Sequence, residues 1–230
     1  MTTGFQRARS DTAKQQRERA ILDAAAALGA ARGIRTVTLT DIAEAIGMHK
    51  SALLRYFETR EQIFLRLTAV GWRYWGAALL TELRSLADAD GHATAHAVAA
   101  AISASLVARP MFCDLLAQAP LNLERNVSLD SVRAFKLVTL EQVDAIGAEL
   151  TRLLGLTEQE RVDVIATATG MAGALWQMAT PGPEVEALYR SDPRLGHAIV
   201  EVGPRLTRVL AALLTGLAGR GTSEPLTTDS

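Results

Sequence analysis

The chain has 230 residues, 49% of them apolar and 21% charged, with a net charge of −1. That is enough for one large domain or two unequal ones, and the balance excludes disordered and fibrous classes. No apolar run reaches the roughly eighteen residues of a membrane span, and the N-terminal stretch lacks the apolar core of a signal peptide. A single cysteine, Cys113, leaves no intrachain disulfide and fits a reducing cytoplasm. No basic cluster adjoins it in sequence, so nothing marks it as a redox thiol.

In chain order, every periodic segment reads as helix and none as strand. Residues 1–11 read as a flexible basic arm with Arg7 and Arg9, and Lys14 follows closely. A helix is expected over 12–31, with Ile21, Ala24, Ala25 and Leu28 facing inward and Gly33 stopping it. Residues 38–57 then read as two short amphipathic helices around a glycine turn. Thr38 and Asp41 have the spacing of a capping box, Ile42, Ala43 and Ile46 share one face, and Gly47 suits the turn. In the second helix Leu53, Leu54 and Phe57 fall on the apolar side, while Lys50, Ser51, Arg55 and Tyr56 lie off it. Those four carry donors suited to phosphates and base edges. The spacing is that of a helix-turn-helix.

Thr59 and Gln62 read as a second capping box, opening a long helix through Trp72 and Trp75 to about residue 86. Residues 88–91 signal a loop. Helices follow over 92–108, 111–118, 129–154 (closed by Gly155) and, capped by Thr157 and Glu160, to about residue 178. Segment 181–196 reads as irregular, with at most one helical turn. A last helix is expected over 198–217, started or kinked by Pro204, and then a disordered tail over 219–230. The fold class is all-α, with a helix-turn-helix unit over 12–67 and a larger helical domain over 68–218.

Charge divides the same way. Residues 1–66 hold eleven Lys/Arg against seven Asp/Glu, net +4, and the remainder is net −5. Positive potential therefore gathers where the motif is, and the rest repels nucleic acid.

The first 67 residues resemble the DNA-binding domain of the tetracycline-repressor (TetR) family. The likeness is carried by Thr38, Asp41-Ile42-Ala43, Ile46-Gly47-Met48, Lys50 through Phe57, and Thr59 through Gln62. It implies a dimeric DNA-binding regulator, not an enzyme, with no cofactor, most simply a repressor released from a near-palindromic operator by a small molecule. By resemblance, residues 50–56 enter the major groove. Lys50, Ser51 and Arg55 read bases or lie near them, and Thr40, Tyr56 and Arg60 hold phosphates, with Thr38, His49 and Leu54 alongside. Two positions depart from the family pattern. His49 stands where a serine cap is usual, so it is either a weaker cap or a phosphate neighbour. Leu54 replaces a common tyrosine, leaving it to pack or to meet a thymine methyl.

Family members pair corresponding C-terminal helices. Here one stripe comprises Val162, Ile165, Thr169, Ala172, Gly173 and Trp176, and a second comprises Ile199, Val202, Leu206, Val209, Leu213 and Leu217. Either stripe faces a partner or the protomer's own core. Trp72, Trp75, Met111, Phe112, Leu116, Phe135, Met171, Trp176 and Met178 are the residues of an apolar effector pocket or of plain core. Asn122, Arg125 or Asn126 is placed to orient a polar group of the effector. The expected partners are double-stranded DNA, a second copy of the chain and a hydrophobic or amphipathic effector, with no membrane. Two rival classes stay open: a helical dimer without sequence-specific DNA binding, and a small metalloenzyme using His92 and His96. The glutamate expected beside the first of those histidines is absent, position 93 being alanine.

Overall fold

The computed structural model describes residues 3–86 and 93–219, with side chains from Thr12 onward, and every regular element among them is helical. The expected loop at 88–91, His92, the side chains of Arg7 and Arg9, and the tail beyond Gly219 lie outside what is described. Among the described residues ten α-helices are formed: α1 (Thr3–Arg32), α2 (Leu39–Ala45), α3 (Lys50–Leu53), α4 (Arg60–Ser85), α5 (Ala95–Val107), α6 (Pro110–Gln118), α7 (Leu129–Leu154), α8 (Glu158–Ala179), α9 (Pro183–Ser191) and α10 (Val202–Ala218). A head is made by α1–α3 and the start of α4. In the body α4 packs on α7, α5 on α10, and α8 on α6 and α10. One apolar core runs without a break from Ile21 and Ile42 in the head to Leu206 and Leu214 in the last helix.

Most helix boundaries follow from local chemistry. Thr38 with Asp41 and Thr157 with Glu160 form complete capping boxes, and Gly155 ends α7. Several expectations are corrected. Helix α1 starts at Thr3, so residues 3–11 are its first turns and not an irregular arm. Helix α5 is capped by Thr94, whose hydroxyl accepts from the Ala97 N–H, and so begins later than residue 92. Helix α6 ends at Gln118 as expected, and the chain runs on through a π-turn, Ala119–Leu123, that contains Pro120. Helix α9 occupies part of the segment read as irregular, because Pro183 is at its first turn, where a missing N–H costs nothing. Glu184 and Glu186 favour that N-terminus, and Arg190 pairs with Glu186 one turn on.

The aromatic residues expected around a pocket fill their own space. Trp72 meets Trp75 edge-on at 5.3 Å and Phe112 at 5.9 Å, and all three are buried. The Trp75 Nε1–H donates to Ser105 Oγ at 2.8 Å, satisfying its one polar group. Met111, Leu116, Met171 and Trp176 pack half-buried against the same core, Asn122 bonds to Asn126, and Met178 is exposed. Phe135 borders a cleft between α4 and α7. Cys113 is buried, its S–H aimed at the Leu106 carbonyl at 3.3 Å, and burial pushes its thiol up to about 11. His96 is exposed on α5.

The α8 stripe is likewise corrected: Ile165, Thr169, Ala172 and Gly173 are buried within the protomer, as is Leu206 of α10. Gly173 is there because α6 passes close by. A Cβ at this position would lie 2.8 Å from the Ala117 backbone nitrogen and 3.0 Å from its Cα. Gly173→Ala should therefore lose about 1–3 kcal/mol by overpacking, although alanine is the better helix former. Urea denaturation should show a lower midpoint, and an unchanged one would contradict the close α6–α8 approach.

Candidate nucleic-acid interface

The reading segment is built from three local devices. Asp41 Oδ2 accepts from the Thr38 N–H at 2.7 Å and its hydroxyl at 2.8 Å, and pairs with Arg32 at 2.6 Å. These contacts, the Thr38 backbone bond foremost, hold the Asp41 carboxyl below its usual range and tie the end of α1 to the start of α2. At the other end of α2, Gly47 takes φ +63°. Its N–H bonds to the Glu44 carbonyl and that of Met48 to the Ala43 carbonyl, a Schellman closure requiring that left-handed residue. Then His49 caps α3: its Nδ1 accepts from the Ser51 N–H at 3.4 Å and lies 2.8 Å from Ser51 Oγ. Histidine thus does the work of the serine usual there. With Nδ1 accepting, the ring proton belongs on Nε2, which leaves an outward donor.

Helix α3 is a single turn, and the helical path is prolonged by bonds from the Leu54, Arg55, Tyr56 and Phe57 N–H groups. Leu53 and Phe57 anchor it in the core. Lys50, Ser51 and Arg55 face outward, and Leu54 is 45% exposed, so it does not pack as one alternative had it. Tyr56 is half-buried and Thr40 is exposed on the first turn of α2. Among the described residues, neither Lys50 nor Arg55 has an ion-pair or side-chain hydrogen-bond partner.

Two residues expected at the DNA are spent internally. Arg60 donates from Nε to the Val37 carbonyl, from Nη2 to the Ile34 carbonyl and from Nη1 to Glu61 Oε1, and it lies 4.7 Å from the Phe64 ring centre. It is a clasp on the segment leading into α2. The Thr38 hydroxyl is committed to its capping box. Conversely, Arg35 was not singled out from the sequence. It stands with Thr38 and Lys50 on the rim of an open cleft beside α2, exposed and, among the described residues, without an ion-pair partner. Its membership in the basic first third was the one available signal.

The head is fastened to the body at two carboxylates. Glu58 Oε1 accepts from the Ser128 N–H and hydroxyl, each at 3.0 Å, and from Ser131 Oγ at 2.7 Å, at the start of α7. Gln62 donates to Ser131 Oγ at 2.9 Å, and its own oxygen accepts from the Glu58 N–H at 2.7 Å. Thr59 still caps α4, but Gln62 reaches back to Glu58 rather than to Thr59, so the second capping box is only half formed. On the other side Asp114 of α6, buried, accepts from the Ile34 N–H at 3.0 Å and from Gln177 of α8 at 2.8 Å.

Two family models match the chain. The model described as bacterial regulatory proteins, tetR family, covers residues 21–67, and the tetracyclin repressor-like C-terminal domain model covers residues 74–221. No curated protein matches. Among solved structures, a Streptomyces coelicolor A3(2) protein designated a TetR family transcriptional regulator is 19% identical with a TM-score of 0.54, over 88% of this chain and 99% of that one. A Mesorhizobium loti MAFF303099 protein of the same designation is 17% identical with a TM-score of 0.51, over 90% and 97%. At these identities the likeness is one of fold.

The Glu58 fastening has a signed pH dependence. The Ser128 N–H, first among its donors, and the Ser131 hydroxyl hold this carboxyl below the ordinary 4.5. A carboxyl depressed on folding contributes stability above its unfolded value and loses it as pH falls through the folded one. Wild type should therefore exceed Glu58→Gln in denaturant midpoint at neutral pH. The gap should close as the pH is taken below 4.5; a gap that widens on acidification would contradict the contact.

Proposed function

Because the chain belongs to the tetR family of bacterial regulatory proteins, we propose that it is a dimeric, ligand-responsive repressor acting on a near-palindromic operator in the cytoplasm. The observation that carries this reading is the pair of unpartnered cations, Lys50 and Arg55, on an exposed turn that Leu53 and Phe57 lock to the core. Arg55 is assigned to a guanine, whose O6 and N7 match its fork, and Leu54 to a thymine methyl. Phosphates fall to Arg35, Thr40, Tyr56 and the His49 Nε2–H. Selection of bound duplexes from a random pool, followed by anisotropy titration, tests the assignment. Affinity should fall steeply with salt through counterion release. Arg55→Ala should cost about 1–3 kcal/mol and relax one operator position, whereas Lys50→Ala should lower the salt slope by about 1 if Lys50 meets a phosphate. An Arg55→Ala profile unchanged at every operator position would refute the base contact.

Pairing is assigned to what the protomer leaves outside. Val162, Ala166, Gly170, Ala174 and Met178 wind along the open side of α8, and Val209, Ala212 and Gly216 lie exposed on α10. Of the residues expected in the stripes, Val162 and Val209 fall on this surface. Ile199 is 54% exposed just ahead of α10, and Trp176, Val202, Leu213 and Leu217 are half-buried. Small residues there permit close helix approach, and nothing lies within 4 Å of where a Gly170 Cβ would be. Gly170→Trp should convert a sedimenting dimer to monomer while leaving the circular dichroism intact. A variant that still sediments as a dimer would place the interface elsewhere.

A further inference from the structure

Beside the junction of head and body, between α1, α4 and α7, lies a cleft of about 340 Å³. Its apolar surface comes from Leu22 of α1, Leu65 and Ala69 of α4, and Phe135 and Val138 of α7. Arg66 and Arg73 of α4 also line it. At seven residues apart, they return to within about 20° of one helix face. Both are exposed, neither has an ion pair or hydrogen bond among the described residues, and no lining residue is acidic. Two like charges over an apolar cleft therefore await an anion, and a guanidinium fork suits a carboxylate. The volume lies near the lower end of ligand cavities, which begin at about 300 Å³, so the ligand is small.

We propose that this cleft binds an amphiphile with a carboxylate head and a short hydrocarbon tail, the head between Arg66 and Arg73 and the tail on Leu65, Ala69 and Phe135. Gln62 and Ser131 line the same cleft. They are hydrogen-bonded to each other at 2.9 Å, and Ser131 in turn donates to Glu58, next to the recognition segment. A ligand that parts α4 from α7 strains this connection and so favours heads that no longer fit DNA together. The shift it produces equals its difference in affinity between the two arrangements. Binding stands on the cleft alone, and the effect on DNA rests on the regulator reading above.

Calorimetry on the full chain with decanoate, decanol and inorganic phosphate tests the site. Decanoate should bind at least tenfold tighter than decanol, and phosphate alone should give no measurable heat. R66Q/R73Q should lose at least tenfold for decanoate but little for decanol. Ala134→Trp, an exposed substitution at the cleft, should weaken both. Equal binding of decanol and decanoate, or an R66Q/R73Q variant that binds decanoate normally, would overturn the proposal, as would phosphate binding alone. Decanoate should also weaken the selected duplex in anisotropy. If decanoate binds as expected but duplex affinity is unchanged, the regulatory link is overturned. If no duplex is bound under any condition, the regulator reading itself is what fails.

Discussion

Helix α4 belongs to two cores at once, and the rest of the structure is arranged around that fact. Its first turns bury Ile63 and Phe64 in the head, and its middle buries Trp72, Trp75 and Leu79 in the body. A helix of 26 residues is about 40 Å long and stiff over that span, so rotation of its body end must move its head end. The clasp made by Arg60 on the Ile34 and Val37 carbonyls passes such motion to the residues that launch α2. The recognition turn begins at Lys50, beyond α2 and the Gly47 turn.

Around this strut the polar fastenings of head to body are few. Glu58 meets the start of α7 and Asp114 meets the Ile34 N–H, from opposite sides of the head. The contrast with the interior is one of hardness. The Trp72–Trp75–Phe112 cluster is closed and apolar, and a void opened there would cost several kcal/mol. Single hydrogen bonds to the junction carboxylates are worth about 1.5–3 kcal/mol each at most, less where exposed. Relative motion of head and body is therefore cheapest at the junction, where the apolar cleft also lies.

Legibility in the sequence followed distance along the chain. The boxes at Thr38 and Thr157, the Gly47 turn and the Gly155 stop were readable because both partners sit within five residues. Arg60 was misread because its acceptors, Ile34 and Val37, lie 26 and 23 residues away, and an arginine after a recognition helix has no local mark of prior engagement. The α8 stripe failed differently. Apolar periodicity tells that Ile165, Thr169 and Ala172 are covered, not whether a partner or α6 covers them. The helix ends at 118 and near 178 were legible; that Pro120 is carried in a π-turn and that Pro183 starts α9 was not. At the start of α3 the Ser51 N–H donates to His49 Nδ1 at 3.4 Å, a long bond in keeping with the weaker cap expected of a histidine, whose ring nitrogen offers a lone pair as a hydroxyl does.

Cys113 is the chain's one thiol, enclosed beneath α5 and kept protonated with its value near 11. Maleimides and methanethiosulfonates attack the thiolate, so the native chain is nearly blank to them. A single cysteine introduced at an outward position such as Ser51 or Thr40 becomes a unique handle for a nitroxide or a fluorophore without first deleting the natural one. Spectroscopic rulers between two labelled copies then report the span of the assembled molecule directly.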